Sequence, residues 1–409
     1  MSTQIENNGL DSEANYYANQ LNSKDRPENM REIRVLDSTL REGEQGVGIS
    51  FTKRQRLQIA WMLDYFGVDF IEISPVISDT HRESLVEMRK AGFAAQIIAH
   101  GRALQQDIDI SRSCDVDWIA MYHSVSDIHL RNKLHISREE ALARSIKAIE
   151  YAKGYGLKLR FTVEDASRAN PDYLKQFLKE VTRAGADRIS VPDTVGGMLP
   201  SGMKRLVELA KSVTTVPLDM HCHNDLGLAL ANSLAGVEAG AEQIHVTING
   251  LGERVGIASL AETTMTLRFL YGVRRQFRYE MLSELSDLVA GYSNTVVSPN
   301  QPLVGKNAYT HKAGTHLAAI VQNPQAYELI PPRTVGNSRR VVFGELSGKN
   351  GAAFLMKTLG LDPTPETSQK LAHGLKNLRM GDLFELGLTD KLEAEAVSTS
   401  EKLGTASSR

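Results

Sequence analysis

The sequence predicts a closed barrel of eight parallel strands with intervening helices, followed by a smaller and mainly helical region. Short runs rich in β-branched and aromatic residues alternate with longer stretches that carry apolar residues at three- and four-residue spacings. The β-rich runs return about every thirty residues, which is the length of one β/α unit. Eight units over about 240 residues favour a closed (β/α)8 barrel, a TIM barrel, over an open doubly wound sheet.

The eight predicted strands follow one another along the chain with a helix after each. Gly67, Gly92, Gly156, Gly185 and Gly240 stand where helices should end before the next strand, because glycine readily takes the left-handed conformation of a helix C-terminus. The strands are predicted at Ile33–Asp37, Asp69–Ser74, Ala95–His100, Asp117–Tyr122, Lys158–Glu164, Asp187–Val191, Pro217–His221 and Gln243–Thr247.

The barrel is predicted to be one of four segments. Residues 1–30 are rich in Asn, Ser, Gln and charge, and are expected to form a flexible extension. The catalytic barrel is predicted over 31–275, and a C-terminal lid and association subdomain over 276–395. The small and polar residues 396–409 are expected to be a frayed tail.

Composition excludes several classes of partner. The 47 basic and 49 acidic residues give a net charge of -2, which provides no field for binding nucleic acid or an anionic membrane. Small molecules are therefore the expected partners. Two cysteines are too few for a disulfide framework, and the first thirty residues contain no apolar core of a signal peptide, so a cytoplasmic protein is expected.

Unusual polar residues are concentrated at the predicted carboxyl ends of the strands, where barrel active sites are assembled. Residues that are up to two hundred positions apart should therefore converge on one mouth of the barrel. They are Arg41 and Glu42 after strand one, His100 on strand three, Glu164 and Asp165 on strand five, Asp193 and Thr194 after strand six, His221 and His223 on strand seven, and Asn249 and Gly250 after strand eight.

Two histidines separated by one residue predict a metal site. On an extended strand His221 and His223 project to the same face, while Cys222 points the other way. With Glu42 they make a set of two nitrogens and one oxygen that leaves positions open for substrate on Mg²⁺, Mn²⁺ or Zn²⁺. Asn249 is a weaker fourth candidate, and Asp225 is a candidate to orient a histidine. The alternative is a pair of neutral, hydrogen-bonded histidines at a strand end.

On the fifth strand Arg160, Thr162 and Glu164 share the face that should point into the barrel. An unpaired guanidinium is costly there, so Arg160 needs an anion. Glu164 is one candidate for that anion. The other is a substrate carboxylate, which Arg160 would hold together with His100.

Three motifs in this order resemble one enzyme group: DSTLREGEQ at 37–45, HCHNDLGLALAN at 221–232 and NGLGERVG at 249–256. They are similar to the acyl-CoA-condensing branch of the DRE-TIM metallolyase superfamily, which contains isopropylmalate, citramalate, homocitrate and Re-type citrate synthases. The resemblance implies a divalent metal cation, acetyl-CoA as cosubstrate, Claisen condensation with a 2-oxo acid and hydrolysis of the thioester. The likeness covers about residues 33 to 350.

The resemblance also implies roles for individual residues. Arg41 would stabilise developing oxyanion charge. Residues 310–316, THKAGTH, are similar to a lid segment that reaches the active site of the neighbouring subunit, which implies a homodimer. His316 is the first candidate for the enolising base, His311 the second and Tyr327 a helper, with Glu164 as a competing acid–base group and plain lid packing as the alternative. The acetyl-CoA side would be formed by Asn249, Gly250, Gly252, Glu253 and Arg254.

The 2-oxo acid is predicted to be 2-oxoglutarate, giving homocitrate, because Arg160, His100 and THKAG are closest to the homocitrate synthases. Oxaloacetate, 2-oxoisovalerate, pyruvate or an unusual biosynthetic 2-oxo acid remain alternatives, since the loop at 123–129 looks more like the isopropylmalate group. A retro-Claisen lyase and a catalytically silent sensor are further alternatives. The predicted substrate-binding residues are Arg41, His100, Arg160, Thr162 and Thr194.

Overall fold

The computed structural model describes residues 15–22, residues 33–377 apart from 274, 276, 313 and 345, and residues 384–387. Most of the predicted extension at 1–30 and all of the predicted tail at 396–409 lie outside these residues. The chain divides into two compact units: residues 20–278 with 285–296, and residues 1–19, 279–284 and 297–409.

Eight parallel strands in the first unit form a closed barrel in which β8 pairs with β1, as predicted. Each predicted strand is present, and its bounds differ from the prediction by at most two residues. The strands are β1 Arg34–Asp37, β2 Phe70–Ile73, β3 Gln96–Arg102, β4 Trp118–Ser124, β5 Lys158–Glu164, β6 Arg188–Asp193, β7 Leu218–Cys222 and β8 Gln243–Val246.

Helices cover the outside of the barrel, and their ends follow the sequence signals. Thr52 and Gln55 form a capping box at the first turn of α2, and Gly67 ends the same helix with φ of 106°. The other four glycines predicted to end helices also have positive φ. Helix α1 and the start of α10 are shared with the second unit. The helices of 7 or more residues in the first unit are α1 Tyr16–Asn22, α2 Lys53–Phe66, α3 Asp79–Ala91, α4 Gln105–Ser113, α5 Arg138–Lys153, α6 Pro171–Arg183, α7 Pro200–Lys211, α8 Ala229–Glu238, α9 Leu260–Phe269 and α10 Leu282–Ser293.

The inside of the barrel is filled by two kinds of side chain. Leu36, Phe70, Ile98, Trp118 and Ala120 form an apolar cluster. Further along the inward face of β2 and β3 the side chains become polar, with Glu72 and His100, and β5 to β8 supply buried arginine, aspartate and histidine side chains.

The second unit contains a three-stranded sheet in addition to the predicted helices. The strands β9 Thr310–His311, β10 Arg340–Phe343 and β11 Phe384–Gly387 have the order β11-β10-β9, and β10 is parallel to β9 and antiparallel to β11. The strands are too short to be recognised from alternation. The helices are α11 Gly314–Gln322, α12 Lys349–Thr358 and α13 Pro365–Lys376. Among the described residues, no helix has the length and apolar character needed to cross a membrane.

Asp37, the last residue of β1, is a fully buried carboxyl group. Its Oδ1 accepts the backbone N–H of Thr39 at 2.8 Å, but its Oδ2 has no hydrogen-bond partner among the described residues. Burial raises the pKa of Asp37 to about 7. The folded protein therefore retains a proton here at pH values where an unfolded chain has lost it.

Stability should consequently fall as the pH rises from 4 to 7. The unfolded carboxyl ionises near its ordinary pKa while the folded one stays protonated up to about 7, so the stabilisation present at low pH is lost through this window, by up to about 4 kcal/mol. Asp37→Asn keeps an acceptor for Thr39 but cannot ionise. We expect urea unfolding at pH 5 to 8 to show a flatter stability curve for this variant than for the wild type. Parallel curves would show that Asp37 does not titrate in this range.

Candidate active site

Glu42, His221 and His223 lie together at the mouth of the barrel, as the sequence predicts. Each offers a ligand atom, these atoms lie within 4.8 Å of one another, and all three residues are buried. The Nε2 atom of His221 is 3.8 Å from Oε2 of Glu42. The thiol of Cys222 is on the opposite face of the strand, next to Ser233 on α8.

The three side chains suit a divalent cation. Burial, together with the charge of Arg41, lowers the pKa of both histidines, that of His221 well below its ordinary value, so the imidazoles are neutral and have a free lone pair. The Nδ1 atom of His223 is buried without a hydrogen-bond partner among the described residues. Two neutral nitrogens and one carboxylate oxygen form a ligand set that Mg²⁺, Mn²⁺ and Zn²⁺ accept.

The glycine-rich loop after β8 holds Glu42 in place. The backbone N–H of Glu253 donates to Oε1 of Glu42 at 2.9 Å. A Cβ atom on Gly252 would lie 2.8 Å from the same oxygen and 3.0 Å from Cγ of Glu42. Residue 252 must therefore lack a side chain for the loop to approach the carboxylate this closely.

We expect Gly252→Ala to displace Glu42 and to weaken binding of a divalent cation by about tenfold or more, as changes next to metal ligands do. Titration calorimetry with Mn²⁺ measures this. Gly291→Ala is the matched control, because a Cβ at that exposed helical position would meet nothing within 4 Å. It should leave cation affinity unchanged and stabilise the fold by about 0.5–1 kcal/mol. Equal affinities in all three proteins would disprove the role of Gly252.

Two predicted contributors to the metal site have other partners. Nδ2 of Asn249 donates to the carbonyl of Ser286 at 2.9 Å, and its Oδ1 accepts the Ser286 hydroxyl at 2.5 Å. The contacts of Asn249 thus do not support its predicted place beside the cation. Asp225 was expected to orient a histidine, but it binds Arg254 at 2.6 Å, since the loop after β8 places that guanidinium over the end of β7.

Glu72 on β2 joins the two buried arginines of the site. Its Oε1 accepts from Nη2 of Arg160 at 2.5 Å, and its Oε2 accepts from Nε of Arg41 at 2.7 Å. A second guanidinium nitrogen of Arg41 contacts Glu42. Although burial opposes ionisation of Glu72, the two guanidiniums hold the pKa of its carboxyl well below the ordinary value.

Of the two candidate anions for Arg160, Glu164 is excluded by the structure. Four residues of strand span about 13 Å, so the two side chains emerge at different depths of the barrel. Glu164 instead binds Nζ of Lys133 at 2.8 and 2.9 Å and contacts the Ser124 hydroxyl. Glu72 supplies the anion, although Nε of Arg160 still has no partner among the described residues.

Of the remaining predicted substrate-binding residues, His100 lies on β3 and Thr162 on β5, whereas Thr194 directly follows β6. His100 is level with Arg160 in the strand register, and its ring stacks on Tyr122 with centroids 5.3 Å apart. Burial lowers the pKa of His100 to about 3, so it is a neutral donor. The hydroxyl of Thr162 is buried without a partner among the described residues, and that of Thr194 accepts the backbone N–H of Asp165 at 3.0 Å.

Sequence reasoning missed Glu72, Asp219 and His245. All three are fully or almost fully buried and have hydrogen bonds inside the barrel. Each has a signal in the sequence: Glu72 and His245 each stand between two apolar strand residues, and Asp219 shares the alternating face of His221 and His223. A charged or polar residue at an inward position of a barrel strand indicates a buried network.

The predicted acid–base residues of the lid lie in the second unit. Nε2 of His311 is 3.0 Å from Oε1 of Glu328, which also binds Arg339 at 2.7 Å. His316 is exposed, and its ring stacks on that of Tyr327 with centroids 3.9 Å apart.

Family models and named relatives match most of this chain. The HMGL-like family model matches residues 32–289, and a model described as homocitrate synthase post-HMGL domain-like matches residues 303–381. A probable 2-isopropylmalate synthase of Ignicoccus hospitalis is 43% identical over 88% of this chain and 91% of that protein. Homocitrate synthase AksA of Methanopyrus kandleri is 41% identical over 85% of this chain and 88% of that protein.

Solved structures share the barrel. The hydroxymethylglutaryl-CoA lyase of Pseudomonas aeruginosa superposes with a TM-score of 0.58 at 20% identity, over 67% of this chain and 96% of that one. At this identity the likeness concerns the fold alone.

Proposed function

This chain belongs to the HMGL-like family and is an acetyl-CoA-dependent acyltransferase that condenses acetyl-CoA with a 2-oxo acid, and from that premise we propose that its 2-oxo acid is 2-oxoglutarate and its product homocitrate. In this reaction the acetyl methyl group loses a proton and forms a carbon–carbon bond to the keto carbon. Water then cleaves the thioester and releases CoA as a free thiol.

The balance of buried charge supports a dicarboxylate. Arg41, Glu42, Glu72 and Arg160 form one cluster of ion pairs in which two positive charges are cancelled by two negative charges, and the burial that lowers the pKa of His100 keeps that ring neutral. A divalent cation adds two positive charges, which the two carboxylates of a 2-oxo dicarboxylate neutralise. A monocarboxylate would leave one buried positive charge, at a cost of several kcal/mol.

The residues of the site have the following proposed roles. A divalent cation held by Glu42, His221 and His223 would polarise the keto group of the 2-oxo acid. Arg41 stabilises the negative charge that develops on the keto oxygen. Arg160 and His100 bind the second carboxylate, with the free Nε–H of Arg160 as a donor. Thr162 and Thr194 orient the substrate. The acetyl-CoA side is formed by Asn249, Gly250, Gly252, Glu253 and Arg254.

Proton abstraction is assigned to the lid of a neighbouring subunit in a homodimer. His316 is the proposed base with Tyr327 as its helper, because His316 is exposed and stacked on that ring. His311 is the competing candidate, since Glu328 orients its imidazole as an acidic residue orients a general base. The pH–rate profiles of His316→Ala, His311→Ala and Glu164→Gln will separate the three, because loss of the base removes the corresponding limb of the profile.

Release of CoA thiol tests the substrate. Equal concentrations of 2-oxoglutarate, oxaloacetate, 2-oxoisovalerate and pyruvate are offered with acetyl-CoA, and the product is identified by mass. We expect the highest kcat/KM with 2-oxoglutarate and a mass equal to that of homocitrate. Preference for a monocarboxylate would overturn the assignment of 2-oxoglutarate, and absence of thiol release with every 2-oxo acid would instead favour a lyase or a sensor.

A further inference from the structure

His245 on β8 and Asp219 on β7 lie next to His221 inside the barrel. The Nδ1 atoms of His221 and His245 are 3.2 Å apart, and Nε2 of His245 is 3.3 Å from Oδ2 of Asp219. Asp219 is fully buried and His245 is 1% exposed. The three side chains form a chain of hydrogen bonds that ends at the Nε2 atom that faces Glu42.

Resting on the metal site proposed above, we propose that Asp219 and His245 are positioning residues that fix the tautomer of His221 and so keep its Nε2 lone pair available to a cation. A carboxylate oxygen only accepts hydrogen bonds, so it places the proton of His245 on Nε2. Nδ1 of His245 is then an acceptor. The facing nitrogen of His221 must donate, which leaves Nε2 of His221 without a proton.

The carboxylate of Asp219 is necessary because the guanidinium of Arg160 favours the other tautomer of His245. Nη1 of Arg160 lies 3.4 Å from the same Nε2 of His245. A guanidinium only donates, so by itself it would place the proton of His245 on Nδ1. Nε2 of His221 would then carry a proton and could not bind a cation. Asp219 decides between the two tautomers because its charge attracts the N–H of His245 more strongly than a neutral acceptor would.

The neighbours of Asp219 make an isosteric test possible. Nε and Nη2 of Arg188 donate to its Oδ1 at 2.9 and 2.6 Å. In Asp219→Asn these donors keep the amide oxygen at the Oδ1 position, so the NH2 group takes the Oδ2 position and faces His245. The amide of Gln243, whose Oε1 has no partner among the described residues, can turn to accept from that group. Asp219→Asn therefore reverses the direction of the hydrogen bonds: the proton of His245 moves to Nδ1 and that of His221 to Nε2.

The test compares four full-length variants with the wild type by Mn²⁺ titration calorimetry of the metal-free proteins. Asp219→Asn and His245→Leu should weaken binding by about 10- to 100-fold. His245→Asn retains an acceptor at the position of Nδ1 and should stay within a few-fold of the wild type. Ser190→Ala is the control, because Ser190 is equally buried and is level with Asp219 in the strand register. It should bind as the wild type does.

A second readout reports the tautomer itself. Long-range proton–nitrogen NMR of the metal-free protein with ¹⁵N-labelled histidine should place the His221 proton on Nδ1 in the wild type and on Nε2 in Asp219→Asn. The His221 signals are those lost in His221→Gln. A merely structural role for Asp219 would lower the melting temperature without moving this proton.

The outcomes separate the two proposals. If the wild type binds no divalent cation, the proposed metal site fails. If it binds one and His245→Leu binds equally well, or if Asp219→Asn leaves the His221 proton on Nδ1, the role of His245 and Asp219 is wrong. Should Asp219→Asn fail to fold, the comparison of His245→Asn with His245→Leu decides: equal affinities of these two variants would overturn the proposal.

Discussion

Glu42→Gln is expected to abolish turnover while leaving the fold intact. The substitution replaces the carboxylate of the Glu42, His221 and His223 cluster with a neutral amide of the same shape. Loss of the polarising cation removes several kcal/mol of transition-state stabilisation, so kcat/KM should fall by about 10³-fold or more. Cation affinity measured by calorimetry should fall in parallel.

Glu44→Gln is the matched control for this prediction. Glu44 is two residues away and its side chain is only 5% exposed, but its oxygens bind Arg56 at 2.7 and 2.8 Å and the backbone N–H of Phe51 at 2.9 Å. Breaking this ion pair should cost about 3–5 kcal/mol of stability and leave cation affinity unchanged. Full activity in Glu42→Gln, or in wild-type protein stripped by a chelator, would refute the metal-dependent mechanism.

Arg160→Leu is expected to change substrate preference. Without the guanidinium the second carboxylate of 2-oxoglutarate has no cationic partner, so kcat/KM for this substrate should fall by about 10³-fold, and that for 2-oxoisovalerate or pyruvate by far less. Competition between paired 2-oxo acids, followed by product mass, measures the ratio directly.

Arg160→Leu also removes one of the two guanidiniums that neutralise Glu72, so a loss of about 3–5 kcal/mol in stability should accompany the change. Arg160→Lys separates the two effects, because it keeps the charge and loses the planar set of donors. It should restore stability and recover only part of the dicarboxylate activity. Equal losses on both classes of substrate in Arg160→Leu would show that Arg160 supports the barrel and does not bind substrate.

The order of the elements and the metal cluster could be predicted from sequence because both depend on local patterns. The β-rich runs, helical periodicity and left-handed glycines set each β/α unit by itself. Once a barrel is inferred, the strand ends must share one mouth. Glu42 and the histidine pair therefore meet although 179 positions separate residues 42 and 221.

The pairing of charges inside the barrel could not be predicted in this way. The alternation of side chains along β5 places Arg160 and Glu164 on the same face. The depth at which a side chain lies in the barrel, however, depends on how far each strand is shifted along its neighbour. That shift brings Glu72 from β2 to Arg160 on β5, across the interior. Likewise the partners of Asn249 and Asp225 are set by loops whose course no periodic pattern encodes.

Local patterns along the chain were sufficient to predict the (β/α)8 architecture, the end of the barrel at which the site lies and the three residues of the candidate ligand cluster, because periodicity and strand polarity are properties of the local chain. The contacts of Glu72 with both Arg41 and Arg160, and the hydrogen bonds that link Asp219 and His245 to His221, became evident only in the folded protein. These contacts depend on strand shear and on the side chains available to fill a closed interior, which arise only when all eight strands are assembled.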